Sequence, residues 1–282
     1  MSSTYLTVAS CNLQNLYEHS SPYKIMHFIL ALSDPLELPD VIALQEIGAS
    51  ANGQDIVHSI IAKTLITEIE RVTGSRYRYI EIAPKAGTTG GALDLNIRPA
   101  FLIKEEIELL NSAEIGIDDD AFTGNIELNY HPSRTPLAIT IRKAKKTITL
   151  INCHLKSANA RTNKEKKLAK KQRNRQAEII VNYYQSLDEE HNIILLGDFN
   201  DFPNSDTLKT LVSTQLISSW DHFSGRLYTT KHKNCPIVLD YILIDKRLSF
   251  RNAESHHINT NLIYPFRYSD HDPISVEVAL QE

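Results

Sequence analysis

Ile193-Ile194-Leu195-Leu196-Gly197-Asp198-Phe199-Asn200 places an apolar run and a glycine ahead of an acid and an amide. A buried strand needs the apolar residues. It does not need to finish on Asp and Asn. Strand neighbours alternate between faces, so Phe199 turns into a core while Asp198 and Asn200 face a cleft. Working outward, the pattern recurs. Val8-Ala9-Ser10-Cys11 ends on Asn12, Val41-Ile42-Ala43-Leu44 on Gln45-Glu46, and Leu150-Ile151-Asn152-Cys153 on His154. Ile237-Val238-Leu239 ends on Asp240, and Tyr268-Ser269 leads into Asp270-His271-Asp272-Pro273. Open α/β sheets hold ligands beyond the carboxyl ends of their strands. Strand ends of this composition, repeated along the chain, point to one hydrolytic metal site.

The pattern between these ends alternates strands and helices. Strands are predicted at 5–12, 41–45, 77–82, 100–103, 137–142, 147–154, 193–196, 238–244 and 274–279. Helices are predicted near 24–32, 55–72 and 163–187, with a short one starting near Asp206 and capped by Ser205 or Asp206. Ile56, Ile60, Ala62, Leu65, Ile69 and Val72 give the second helix its apolar stripe. Hairpins mixed with helical crossovers suggest sheets with helices outside. No Pro/Gly/Ser-rich linker divides the chain, and the site candidates run from Asn12 to His271, so residues 1–282 read as a single domain.

Each strand end has a chemistry. Glu46 is a hard-cation ligand of the kind Mg²⁺ takes, alongside waters and substrate phosphate. A surface Glu opening a loop is the ordinary alternative. Asp240 and His271 suit a base pair, in which the carboxylate fixes the imidazole tautomer and the other ring nitrogen takes a proton from water. Asp270 is then available to a metal. Asp198 can orient a water or bind a metal, and Asn200 can donate to a phosphate oxygen. His154, if protonated, would hold a phosphate oxygen or protonate a leaving group. The remaining histidines, His256 and His257 among them, read as satisfied or exposed side chains. Cys11 and Cys153 each precede a site residue, so alternation turns them into the core as small hydrophobes. With Cys235 they make an odd count at wide spacing, which does not suggest a disulfide framework.

The order and spelling of Asn12, Gln45-Glu46, His154, Gly197-Asp198-Phe199-Asn200, Asp240 and Ser269-Asp270-His271 resemble the endonuclease/exonuclease/phosphatase superfamily. That superfamily includes deoxyribonuclease I, abasic-site endonucleases, neutral sphingomyelinases and inositol polyphosphate 5-phosphatases. The resemblance spans nearly the whole chain. It implies an α/β four-layer sandwich, two mixed β-sheets packed face to face with helices on the outer faces. It also implies Mg²⁺, or Mn²⁺, held by Asn12, Glu46 and Asp270. His154, Asp198, Asn200, Asp240 and His271 are then the catalytic set for metal-assisted water attack on a phosphodiester. The sequence leaves one metal or two open. Gln14 stands where many abasic-site nucleases carry a second carboxylate, and His154 where they carry Tyr. Both departures shift the resemblance toward the deoxyribonuclease I and sphingomyelinase side.

Substrate class rests on finer features. Gly90-Gly91, Asn96 to Ile103, Ser133 to Leu137, His154-Leu155-Lys156-Ser157 and Asp198 to Phe202 resemble stretches of bacterial extracellular nucleases in this superfamily. Arg98 and Arg134 are candidate phosphate contacts, because guanidinium matches phosphate geometry; a structural ion pair is the alternative. The net charge of −4 gives no global attraction to nucleic acid. A local stripe does: Arg161, Lys164, Lys166, Lys167, Lys170, Lys171, Arg173 and Arg175 against Glu165. It reads as a solvated helix face or as a contact tracking a DNA or RNA backbone. A DNA nuclease, with RNA as the variant substrate, is therefore expected. The alternatives are a sphingomyelinase-like or inositol-phosphate phosphoesterase and an inactive binding scaffold. Val238-Leu239-Asp240-Tyr241 departs from the Trp-Cys-Asp-Arg spelling of the 5-phosphatases, and no exposed apolar hairpin is evident. The first residues lack a signal-peptide pattern and no run approaches the ~20 apolar residues of a membrane span. The expectation is a soluble chain, cytoplasmic by default and secreted if a signal was removed. Oligomeric state is not legible.

Overall fold

Two pairs of parallel strands organise the molecule. The computed structural model describes residues 5–92, 94–158, 162–188, 190–212, 215–223 and 225–280. In order, the chain forms β1 (Tyr5–Leu16), α1 (Pro22–Ser33), β2 (Val41–Ile47), α2 (Ile61–Thr73), β3 (Tyr77–Ile80), β4 (Arg98–Lys104) and β5 (Glu108–Glu114). It continues through α3 (Asp120–Thr123), β6 (Leu137–Lys143), β7 (Lys146–His154), α4 (Asn163–Gln185), β8 (Asn192–Asp198) and α5 (Asp206–Leu211). The last strands are β9 (Leu216–Ser218), β10 (Thr230–His232), β11 (Cys235–Ile237), β12 (Asp240–Asp245), β13 (Phe250–Ser255) and β14 (Ile274–Ala279).

One six-stranded sheet has the order β13-β14-β1-β2-β4-β3 and the other β5-β6-β7-β8-β12-β9; β10 and β11 form a separate hairpin. Both sheets are mixed, with a single parallel pair each: β1 with β2, and β7 with β8. A parallel pair needs a crossover, supplied by α1 in one sheet and α4 in the other. The sheets pack face to face through a core that takes Val8, Val41, Phe101 and Ile274 from one and Ile139, Leu150, Leu196 and Ile242 from the other. Helices α1 and α2 cover the outer face of the first sheet, with Phe28, Leu32, Leu65 and Ile69 against Ile42, Leu44 and Leu102. Helices α4 and α5 cover the second, through Ala177, Ile180, Tyr184, Leu208 and Leu211. This is the four-layer sandwich the resemblance implies.

The crossovers start where local chemistry allows. Ser21 caps α1 ahead of Pro22, whose missing N–H is not needed in a first turn. Thr162 and Glu165 form a reciprocal capping box on α4, and Ser205 caps α5. The predicted helix from 55 begins only at Ile61. Ile56 bridges Lys85, the Val57 amide donates to Pro84, and the Ala86 amide donates to Asp55, so local pairing holds 55–59 extended. Strand β5 was not anticipated, because as an edge strand it carries mostly exposed residues and few alternating apolar ones.

A buried polar bridge joins the sheets beneath the strand ends. The ladder of β2 on β4 shifts register between Leu44 and Ile47. Asn152, on β7 of the opposite sheet, donates to the carbonyls of Leu44 at 2.9 Å and Ala100 at 2.8 Å. Its own Oδ1 accepts from Gln45 Nε2 at 2.8 Å, and Gln45 also bonds Ser10. Gln45 and Asn152 are fully buried. Asn152→Leu therefore strands two carbonyls and an amide. We expect it to lower stability by about 3–5 kcal/mol, read as a fall in urea midpoint with unchanged slope.

Candidate active site

The carboxyl ends of both parallel pairs meet at one end of the sandwich. In the second sheet the ladder sets three residues side by side: His154 opposite Asp198, and Asp198 opposite Asp240. Gly197 makes this row possible. It sits at φ +132, and a Cβ there would meet the Cys153 carbonyl oxygen at 2.0 Å. Only glycine lets the β8 backbone approach β7 so closely. Phe199 then turns inward, fully buried and stacked on Tyr241 at 5.3 Å. The first sheet supplies Asn12 and Glu46, at bulges in both strands. Glu46 is left-handed at φ +60, as are Gln14 and Asn15, and bulges of this kind re-aim side chains at sheet ends.

The two sets touch. Asn12 Nδ2 donates to Asp198 Oδ2 at 3.1 Å and lies 3.4 Å from Glu46 Oε1. The Asn15 amide donates to Glu46 Oε2 at 2.9 Å, and the Asn200 amide to Asp198 Oδ1 at 2.9 Å. His154 Nε2 lies 3.7 Å from Glu46 and 3.6 Å from Asp198. His271 Nδ1 is 2.8 Å from Asp240 Oδ2, and its Nε2 is 4.0 Å from Asp198 Oδ2. The structure thus brings Asn12, Glu46, His154, Asp198, Asp240 and His271 together. Asn200 joins them through its backbone, and its side-chain amide donates to the Leu155 carbonyl. Asp270 is half-buried beside them.

Crowding sets the protonation states. Burial pushes Asp198 up to about 7, against the pull of His271. Burial also opposes charge on His271, but Asp240 and Asp198 outweigh it and hold the imidazolium well above its ordinary range. His154 goes the other way. Burial, Arg134 and His271 push it well below the usual value, and its Nδ1 is buried without a partner among the described residues. These surroundings favour a neutral His154 over the protonated imidazole that the sequence reading offered as its conditional role.

Arg134 reaches this cluster. It is buried, donates to the Leu155 carbonyl at 3.0 Å, and lies within the field of Glu46 and Asp198. Arg98 does not. Its guanidinium donates to the Asn96 and Val57 carbonyls and to Glu81. Those contacts occupy it in the interior, so the phosphate-contact expectation is corrected to a structural one: Arg98 fastens the 55–59 segment.

The basic stripe is partly neutralised. Arg173 is buried on Asp201, Lys170 pairs with Asp206 at 2.8 Å, and Arg175 pairs with Asp119 and Glu178. Lys164, Lys166, Lys167 and Lys171 remain exposed on α4; Arg161 lies outside the described residues. Cys11 and Cys153 are buried, and burial pushes both thiols up.

Three positioning groups were missed by sequence reading. Thr229 Oγ1 accepts from the Leu239 and Asp240 amides, while its carbonyl accepts from the Asp272 amide, so one residue ties Asp240 to the segment carrying His271. Asp272 accepts from the Asn259 and Thr260 amides and from His257. Lys24, from the first turn of α1, feels both Glu46 and Asp270, although burial brings it down to about 8. A Thr in a hairpin and a Lys on a helix carry no sequence signal of such roles.

The donor set suits a hard divalent cation. Glu46 and Asp270 have carboxylate oxygens, the ligand type Mg²⁺ prefers; the Asn12 amide oxygen accepts from the Gln14 amide at 2.9 Å, which leaves it one lone pair. Asp198, Asp240 and His271 also present ligand-type atoms within 4.8 Å of one another. There His271 Nδ1 is at hydrogen-bond distance from Asp240.

The model of the Endonuclease/Exonuclease/phosphatase family matches residues 9–271. No curated protein matches the chain. Among solved structures, an endonuclease/exonuclease/phosphatase family protein from Leptotrichia buccalis is 19% identical, with a TM-score of 0.71 over 98% of this chain and 100% of that one. D. rerio TDP2 complexed with a single-strand DNA product is 15% identical, at 0.67 over 98% and 99%. The human Nocturnin catalytic domain with bound sulfate is 21% identical, at 0.64 over 98% and 94%. At these identities the likeness is one of fold. Among the described residues, no helix is long and apolar enough to cross a membrane.

Proposed function

This chain belongs to the endonuclease/exonuclease/phosphatase family, and from that premise we propose that it is a divalent-metal-dependent phosphodiesterase. Its substrate in this reading is nucleic acid, DNA first, and residues 1–282 act as one domain. The carrying observation is the 2.8 Å contact of His271 Nδ1 with Asp240, set against Glu46, Asn12 and Asp198. Asp240 fixes the tautomer that leaves His271 Nε2 to take the proton of the attacking water. Asp198 orients that water. Glu46, Asp270 and Asn12 would hold Mg²⁺, with Mn²⁺ as a substitute. Bound there, the ion supplies positive charge to the phosphate's non-bridging oxygens. Arg134 adds charge on the phosphate side, neutral His154 donates from Nε2, and Asn200 donates an amide N–H. Phosphoryl transfer asks mainly for such positioning and charge stabilisation.

Nucleic acid is favoured by the exposed lysines of α4 and by the DNA product in the D. rerio relative of the same fold. One observation favours the lipid alternative. Ile263, Tyr264 and Phe266 are exposed together near the site, an apolar loop that sequence reading did not anticipate. Hydrolysis of plasmid DNA, RNA and sphingomyelin side by side, with Mg²⁺ and with EDTA, decides between them. Nicking of plasmid with negligible sphingomyelin turnover is the expected result; the reverse overturns the nucleic-acid reading.

The stripe gives a further prediction. Neutralising Lys164, Lys166, Lys167 and Lys171 should weaken duplex binding. Each lost phosphate contact should lower the log–log salt slope by roughly 0.9. A small chromogenic phosphodiester should be hydrolysed as before. An unchanged salt slope makes the stripe a solvated face.

A further inference from the structure

A groove of about 700 Å³ opens between the start of α1 and residues 264–268. It begins at Gln14 and Asn15, and the Asn15 amide holds Glu46. Its sides carry large rings that face solvent: Tyr23 from α1, and Tyr264 and Phe266 from the loop, at 76%, 82% and 60% exposure. Single exposed apolar side chains need no explanation, but rings clustered around one groove mark a binding surface. The lining is also polar. His27 Nδ1 and Arg267 Nε, both buried, have no hydrogen-bond partner among the described residues. Lys24 stands at the inner end, between the groove and the carboxylates.

The loop is held in place. Its base is fixed where Asp272 accepts from the Asn259 and Thr260 amides, and Asn259 Nδ2 donates to the His271 carbonyl at 2.6 Å. The Tyr268 amide donates to Asn259 Oδ1, and Tyr268 packs edge-on against Phe28 of α1. The loop that carries Tyr264 and Phe266 is therefore tethered at its base to the segment that carries His271.

We propose that this groove is a base-binding subsite: it takes one unstacked nucleobase of the strand whose phosphate lies at Glu46. Tyr23, Tyr264 and Phe266 offer stacking faces, and His27 and Arg267 offer hydrogen bonds to the base edge. The proposal rests on the nuclease reading above. Stacking is sequence-tolerant, because every base has a flat face. The polar side chains of the lining, Gln14, His27 and Arg267 among them, suit a flat polar ring better than an acyl chain.

The test uses single-stranded DNA oligonucleotides of one sequence, each with one nucleotide replaced by a stable abasic analogue. Single-turnover cleavage with Mg²⁺ is compared between the wild-type protein and Tyr264→Ala, with Phe266→Ala as a second variant. Both positions are exposed, and unchanged thermal unfolding checks that each variant folds. For a given cut, removal of one particular neighbouring base should slow the wild type roughly 5- to 100-fold, the usual effect of one base–aromatic stack. Tyr264→Ala should lose a similar factor on the intact strand and nothing further from that abasic replacement. Equal abasic losses in wild type and variants, or no abasic effect with cleavage otherwise normal, overturn the subsite and leave the nuclease reading standing. No cleavage of any oligonucleotide with Mg²⁺ or Mn²⁺ overturns both. Loss of sphingomyelin-vesicle binding in the two variants would then make the loop a lipid contact.

Discussion

We expect His271→Ala to lower turnover of a phosphodiester substrate by ~10²–10⁴-fold, the usual worth of a positioned general base. Asp240→Asn is also severe, because an amide facing Nδ1 no longer selects the tautomer that leaves Nε2 basic. The 2.8 Å contact makes the two residues one unit. Combined, the changes should therefore lose far less than the product of the single losses. Strictly multiplicative losses would show that they act apart. The pH profile gives a second reading. Burial works against charge on His271, but Asp240 and Asp198 raise it well above the ordinary imidazole range. The base form therefore appears only as pH rises, and activity climbs with it. Asp240→Asn removes a carboxylate that favours the imidazolium, so the acidic limb of its residual activity moves to lower pH. A limb that stays in place assigns that titration to another group.

Glu46→Gln removes most activity at limiting Mg²⁺, because a neutral amide is a poor ligand for a hard cation. The half-saturating Mg²⁺ concentration should rise by roughly tenfold or more, equivalent to at least about 1.4 kcal/mol of lost binding. A glutamine Oε1 can still accept from the Asn15 amide, and position 46 is only half-buried, so the fold should tolerate the change. Unchanged thermal unfolding with wild-type turnover at limiting Mg²⁺ would remove Glu46 from the metal assignment.

Much of the site was legible because strand chemistry is local. The apolar runs before Asn12, Glu46, His154 and Asp198 marked strands, and alternation turned Cys11, Cys153 and Phe199 into the core. What sequence could not give was partnership. Arg98 and Arg134 look alike along the chain, yet Arg98 is spent on the Asn96 and Val57 carbonyls and Glu81, while Arg134 donates to the Leu155 carbonyl within the field of Glu46 and Asp198. The charge of His154 depends on its surroundings, where burial and two neighbouring positive groups disfavour the cation. Gln45 carried part of the family resemblance, but its side chain bridges to Asn152 in the opposite sheet. Among the elements, β5 was lost because an edge strand exposes much of its length. The 55–60 segment read as helix because its apolar spacing fits one, while pairing with 84–86 draws it out.

The central claim is that the ends of two parallel strand pairs hold a divalent cation beside a His–Asp base. Plasmid nicking by the purified chain, followed as free Mg²⁺ is removed with EDTA and restored, tests it most directly. The account predicts that nicking falls to background in EDTA and returns along a saturable Mg²⁺ curve, with His271→Ala far below wild type throughout. Undiminished nicking in EDTA, or equal rates for wild type and His271→Ala at saturating Mg²⁺, would contradict it.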